Sequence, residues 1–234
     1  MMGGVENAPK TDEIEAVPDA KGALAWLHER LTPSTDVWEH VVTEVVPEGF
    51  SAYVRVFHAW TVEEDPGLRR TWREMAEAAG ACYHGELVGG PLRQEIFTPP
   101  VGDQWETTEG EADPVTRRGL ADVLMGATAP GQGTYFSYEL SRTFFDEETL
   151  VWKSSLPALE AVRSQTGEEY AGPEHWWPED RSWVVGCDWD LCSTYIACSE
   201  ELADQLVRSD LVEALRVAPT ARVDDGSDSI NTSS

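Results

Sequence analysis

Residues 181–206, RSWVVGCDWDLCSTYIACSEELADQL, hold two short β-type runs followed by an amphipathic segment. Residues 181–185 and 194–197 read as strands, because Trp, Val, Thr, Tyr and Ile suit a pleated, half-buried surface. From Ser199 the period changes to that of a helix. Leu202, Leu206 and Val207 fall on one face, and Ser199 ahead of two glutamates is a natural N-cap.

Outward from there, residues 23–31 repeat leucines at helical spacing (Leu24, Leu27, Leu31) and stop at Thr32-Pro33. Residues 50–60, FSAYVRVFHAW, alternate as a strand. Residues 68–79 read as a helix closed by Gly80 in a left-handed C-cap. Short strands are expected at 82–88 and 94–97 around the Gly89-Gly90-Pro91 turn. A helix follows at 115–125 with Leu120, Val123 and Leu124 inward, then strands at 135–140 and 150–152 and a helix at 156–164. Strands interspersed with helices, without regular βαβ alternation, predict an α+β fold with a mainly antiparallel sheet. Residues 1–20 and 219–234 are polar and poor in aromatics, so both are expected to be disordered tails around one domain at 21–218. Residues 102–114 carry five acids and no base and read as a solvated loop.

Seventeen Lys and Arg against 43 Asp and Glu leave a net charge of −26. That field disfavours nucleic acid and anionic membrane and attracts basic partners. No apolar run approaches the ~18 residues of a membrane span. No basic segment followed by an apolar stretch opens the chain, so a cytoplasmic protein with reduced thiols is expected.

Chemical motifs are sparse. Cys82 and His84 would share one face of a strand, but Cys187, Cys192 and Cys198 lack the spacing of a zinc knuckle. No metal site and no cofactor are therefore expected. No Gly-x-Ser-x-Gly elbow or Walker-type loop occurs, and Gly131-Gln132-Gly133 reads as a turn. His28 and His40 are expected on helices, His58 and His84 on strands, and His175 in a loop. Asp188 and Asp190, two residues apart, share a face if extended and could act as an acid–base or cation-binding pair. Trp176-Trp177 follows Gly172-Pro173 in what reads as a loop. Two adjacent tryptophans cannot readily face one core, so one of them could be partly exposed as an interface anchor, or Trp176 or Trp177 could instead plug one end of the core.

The segment 176–206 resembles a group of actinobacterial proteins sharing a WWPxDRxW…DLxSTY signature. The matching positions are Trp176, Trp177, Pro178, Asp180, Arg181, Trp183, Asp190, Leu191, Ser193, Thr194 and Tyr195. The resemblance spans about 30 residues, implies no particular activity, and departs at Ala197-Cys198, where the group often carries Gly-Gly. A looser similarity in fold class and charge is to SUKH-type immunity proteins, which implies a toxin-binding role. Two readings follow. In the first, the chain is a non-enzymatic, immunity- or antitoxin-type module that occludes a basic protein partner through Trp176, Trp177, Asp180, Arg181, Asp188, Asp190 and Tyr195. In the second, it is an enzyme, or a protein that binds a small ligand or metal, with a pocket near His175, Asp188 and Asp190. Asp180-Arg181 could equally form an internal ion pair with the Asp188/Asp190 pair, pinning the loop after Trp177.

Overall fold

A computed structural model describes residues 13–34, 39–63, 65–96, 104–139, 142, 148–166 and 172–231. The fold is α+β and its strand pairings are antiparallel. Its main feature is a sheet of eight strands: β1 (Glu15–Ala16), β2 (Ala52–Phe57), β6 (Thr134–Tyr138), β7 (Leu150–Ser154), β8 (His175–Pro178), β9 (Val184–Gly186), β10 (Ser193–Cys198) and β11 (Ala214–Val217). They lie in the order β1-β7-β6-β8-β9-β10-β2-β11. A small second sheet orders β4 (Asp65–Arg70), β3 (Trp60–Val62) and β5 (Glu106–Thr107).

The large sheet is covered on both faces, so its central strands are apolar in both directions rather than alternating. On one face α5 (Pro114–Ala127), α6 (Leu159–Thr166) and α7 (Glu200–Arg208) bury Leu120, Leu124, Val162, Leu202 and Leu206. These pack against Val54, Val56, Phe136, Trp176, Val185 and Ile196. On the other face α1 (Ala20–His28) and α2 (Val42–Val45) set Leu24, Leu27 and Val42 against Tyr53, Trp177, Val184 and Ala197. A third cluster, around Phe57, Trp60, Trp72, Leu87, Leu92 and Trp105, joins the small sheet to α3 (Trp72–Ala79).

The helix at 200–208 starts as its sequence predicts, with the Ser199 side chain accepting from the Leu202 amide, but Val207 points outward. Gly80 is the left-handed cap of α3 (φ 68°). That helix begins later than its periodicity suggests. Residues 65–70 leave as strand β4, and Thr71 with Glu74 forms a capping box. Residues 82–88 are loop, and residues 93–96 form the short helix α4 (Arg93–Ile96) instead of a strand. The segment 102–114 is not a solvated loop throughout. Trp105 is buried, and the buried Asp113 caps α5, holding the Val115 and Thr116 amides and the Arg69 guanidinium. His40 and His84 sit in loops, His58 just beyond β2, and His175 on a strand.

The inner ends of both expected tails, residues 13–20 and 219–231, belong to the fold. Residues 1–12 lie outside the described residues, but Glu15–Ala16 is the edge strand on β7 and Asp19 caps α1. At the other end, the chain from Pro219 to Asn231 packs back on the fold. The Thr43 and Val42 amides donate to the Pro219 and Ala221 carbonyls, and Ala221 is buried. Further on, Asp228 pairs with His84 (3.0 Å), and the Asn231 side chain bonds both the amide and the carbonyl of Cys82. Polar anchors, not apolar area, fix this segment, which is why its composition reads as tail. Ending the chain at Ala218 removes several of these bonds at about 1 kcal/mol net each. A chain shortened in this way is expected to melt roughly 6 °C or more lower by calorimetry, whereas a free tail would leave the melting curve unchanged.

Candidate functional site

Cross-strand pairing aligns four positions on the face covered by α1 and α2. Arg55 on β2 lies opposite Tyr195 on β10, Tyr195 opposite Gly186 on β9, and Gly186 opposite His175 on β8. Directly paired residues project to the same side of a sheet, so this row presents a guanidinium, a phenol, a gap and an imidazole in sequence. Over it lies a cavity of about 900 Å³. The wall opposite the floor comes from the end of α1, from α2, from the turn at 188–191 and from residues 222–226.

Gly186 sets how closely that wall can approach. A Cβ at this position would collide with the Val45 carbonyl oxygen and crowd the Val46 side chain. With no side chain there, the Val45 carbonyl reaches His175 and accepts a hydrogen bond from Nε2 (2.9 Å). The imidazole is then neutral with its lone pair on Nδ1, and no partner for Nδ1 exists among the described residues. Burial holds the His175 pKa below its ordinary value. His58, the other buried imidazole, differs. Its Nδ1 donates to the Thr108 carbonyl (2.7 Å) and its Nε2 accepts from the Thr194 hydroxyl (2.9 Å), so it is a fully satisfied structural residue. Burial lowers its pKa to about 4.

Arg55 is 4% exposed and lies over the Phe57 ring (4.3 Å) and the Trp72 ring (5.5 Å). Its Nε donates to Ser193 Oγ (2.8 Å), and its Nη1 donates to the Gly85 and Leu87 carbonyls. Beside it, burial pushes the Tyr195 phenol up to about 12, and that hydroxyl makes no hydrogen bond among the described residues. Around the rest of the cavity, His28 pairs with Glu139 and His40 with Glu44 (both 2.8 Å), and Arg222 pairs with Asp224. Asp188 is half-buried and its pKa is raised by burial, with the Asp190 charge adding to the effect.

The structure brings together His175, Asp188, Asp190 and Tyr195, which all line this cavity. It separates the other expected partner-binding residues from them. Trp176 and Trp177 belong to strand β8, not a loop, and are 5% and 2% exposed. Successive strand residues point to opposite faces, so Trp176 enters the helix-covered core and Trp177 the core under α1. Each tryptophan has a core of its own, so neither is partly exposed. Tyr195, 2% exposed, is equally closed to a protein surface. Asp180 and Arg181 lie at the far end of the β8–β9 hairpin and make no ion pair with Asp188 or Asp190. Asp180 accepts from the Ser182 amide, while Arg181 (φ 56°) stacks on Trp26 at 4.3 Å. Asp188 and Asp190 are not an extended pair either. They flank a turn in which Asp188 Oδ1 accepts from the Asp190 amide (3.4 Å). Arg55 was not singled out from the sequence, although a charged residue between Tyr53 and Phe57 on one strand face is a legible signal. Among the described residues, no three His, Cys, Asp or Glu side chains gather as a metal site, and no helix is long and apolar enough to cross a membrane.

The buried imidazoles make stability depend on pH. Both are neutral in the fold, whereas the unfolded chain protonates them near pH 6.5. The unfolded state therefore binds more protons below that value, and stability falls as pH drops from about 6.5 toward 4. For His58 alone the loss is on the order of 3 kcal/mol. Urea denaturation at pH 7 and pH 4.5 is expected to show a smaller difference for His58→Gln than for the wild type, and an equal difference would remove the burial argument. No family model, curated protein or solved structure matches the chain.

Proposed function

We propose that this chain is a small-molecule-binding protein whose ligand sits over the Arg55–Tyr195–His175 row. The observation that carries the reading is a cavity of about 900 Å³ floored by buried polar side chains whose hydrogen-bonding capacity is only partly used. Its size is that of a typical ligand pocket, which spans roughly 300–1,000 Å³. Buried polar groups are nearly always satisfied, so Arg55 Nη2 and the Tyr195 hydroxyl, left without protein partners among the described residues, call for an occupant.

Binding is favoured over covalent catalysis by the state of the candidate nucleophiles. Ser193 Oγ accepts from Arg55, and no base accepts its proton among the described residues. Burial pushes the Cys192 thiol up, the reverse of what an activated thiolate requires. A cytoplasmic setting with reduced thiols fits this role. Recognition of a basic protein retains the net charge of −26 as its support but has lost its tryptophan anchors.

A ligand present at a hundred times its Kd stabilises the fold by about 2.7 kcal/mol, which is roughly 5 °C or more for a chain of this size. A thermal-shift screen of metabolites and divalent metals is expected to find such a compound. Asp190→Ala, at the rim, is expected to reduce that shift without lowering the unliganded melting temperature. Melting curves unmoved by every compound would sink the reading.

A further inference from the structure

The chain carries far more acid than base, and its arginines show it. Arg69 holds Asp113, Arg117 holds Glu111 and Glu160, Arg163 holds Glu111, Arg216 holds Glu200 and Asp204, and Arg222 holds Asp224. Arg55, among the most buried of them, has no carboxylate within ion-pair distance among the described residues. Its Nε and Nη1 hydrogens go to neutral acceptors, and Nη2 makes no hydrogen bond among the described residues. A buried cation without a counter-charge is costly, and guanidinium is the side chain best shaped to meet a carboxylate. The phenol of Tyr195, directly across the strand pair, adds a second unused donor. Together they form an anion subsite that the protein does not fill itself.

The opposite side of the cavity has the reverse character. The acids there that face a base are already paired: Glu139 with His28, Glu44 with His40, and Asp224 with Arg222. Asp188, Asp190 and Asp225 are left with no salt bridge among the described residues, and the first two stand on the turn that follows β9. Gly186 lies two strand spacings, about 10 Å, from Arg55 along the row, and Asp188 follows two residues later. Side chains reaching in from both ends shorten that span to the size of an amino acid.

We infer that the ligand is a small zwitterion of amino-acid size, with its carboxylate on Arg55 Nη2 and the Tyr195 hydroxyl and its ammonium group toward Asp188 and Asp190. This rests on the reading of the cavity as a ligand site. A simple anion would meet the two aspartates, and a simple cation would leave Arg55 unpaired.

The test is titration calorimetry and thermal shift on the full chain with three matched sets of probes. These are the common L-α-amino acids and short ω-amino acids, their N-acetyl derivatives (anion only), and their methyl esters (cation only). Glucose and a nucleoside serve as neutral compounds. At least one zwitterion is expected to bind, with both of its derivatives weaker by roughly tenfold or more. Tyr195→Phe, which keeps the ring and its packing, is expected to weaken the zwitterion by about tenfold. Asp188→Asn is expected to weaken the zwitterion and to leave its N-acetyl derivative unchanged. Derivatives that bind as tightly as their parent, or a zwitterion indifferent to both variants, overturn the assignment. A neutral compound whose binding depends on Asp188 overturns the zwitterion while leaving the cavity as a ligand site. Failure of every probe, neutral ones included, overturns both.

Discussion

The Val45 carbonyl meets His175 across the face of Gly186, and the shape of the site depends on that contact. A strand residue with any side chain would lift α2 off the sheet, because its Cβ would occupy the space of the carbonyl. With glycine, α2 touches down at one point and is anchored there by a hydrogen bond in a dry environment, where such bonds are strong. Along the Arg55–Tyr195–His175 row the face is roofed rather than filled, while the next row, Tyr53, Ala197, Val184 and Trp177, is packed shut by Leu24, Leu27 and Val42. The bond also fixes the tautomer of His175, leaving an acceptor on Nδ1 instead of a donor. One missing side chain thus determines how close the wall comes and which hydrogen-bonding role the imidazole retains.

Burying Arg55 is the second costly feature, and its surroundings explain why arginine rather than lysine can occupy the position. The guanidinium is weakly hydrated, lies over the Phe57 and Trp72 rings, and spreads its hydrogens over three acceptors on two segments. Those bonds tie β2 to β10 and to the loop at 85–87, so the side chain has a structural role whatever the cavity holds. An ammonium group could reach fewer of these acceptors and would lose more hydration. Exposed arginines such as Arg73 and Arg181 also lack a carboxylate, but water can solvate them; at 4% exposure Arg55 has no such recourse, which makes the absence informative there.

Much of the scaffold was legible because it follows periodicity. Residues 50–60 alternate and become β2, and Ser199 with Leu202 and Leu206 specifies α7 down to its cap. Failures occurred where local signals competed. Leu68-Arg69-Arg70 continues the period of α3, yet pairing with Trp60 and Thr61 takes these residues into β4, and the true start was marked by Thr71-x-x-Glu74. Gly172-Pro173 and Pro178 gave Trp176-Trp177 the chemistry of a loop, but Pro178 stands at the last position of its strand, where a missing amide is tolerated. The C-terminal segment reads as a tail because composition measures apolar burial, whereas Arg222, Asp228 and Asn231 hold it through hydrogen bonds. His175, Asp188 and Asp190 were recognisable as polar residues in an aromatic setting. That Arg55 and Tyr195 complete the same site is a matter of strand register, which only the paired sheet displays.

The overall charge and the cavity make different demands on a ligand. At −26 the protein repels anions as they approach, and a free carboxylate is no exception. Salt limits that repulsion to a range of about 8 Å, and within the cavity the nearest charges dominate. Arg55 attracts a carboxylate only once it has arrived, while Asp188 and Asp190 offer the matching attraction to a positive group. A molecule with no net charge is not repelled by the long-range field, yet it carries both of the charges that the cavity leaves unmatched. The acidic surface and the buried guanidinium are therefore compatible demands, which a zwitterion meets and an ion of either sign does not.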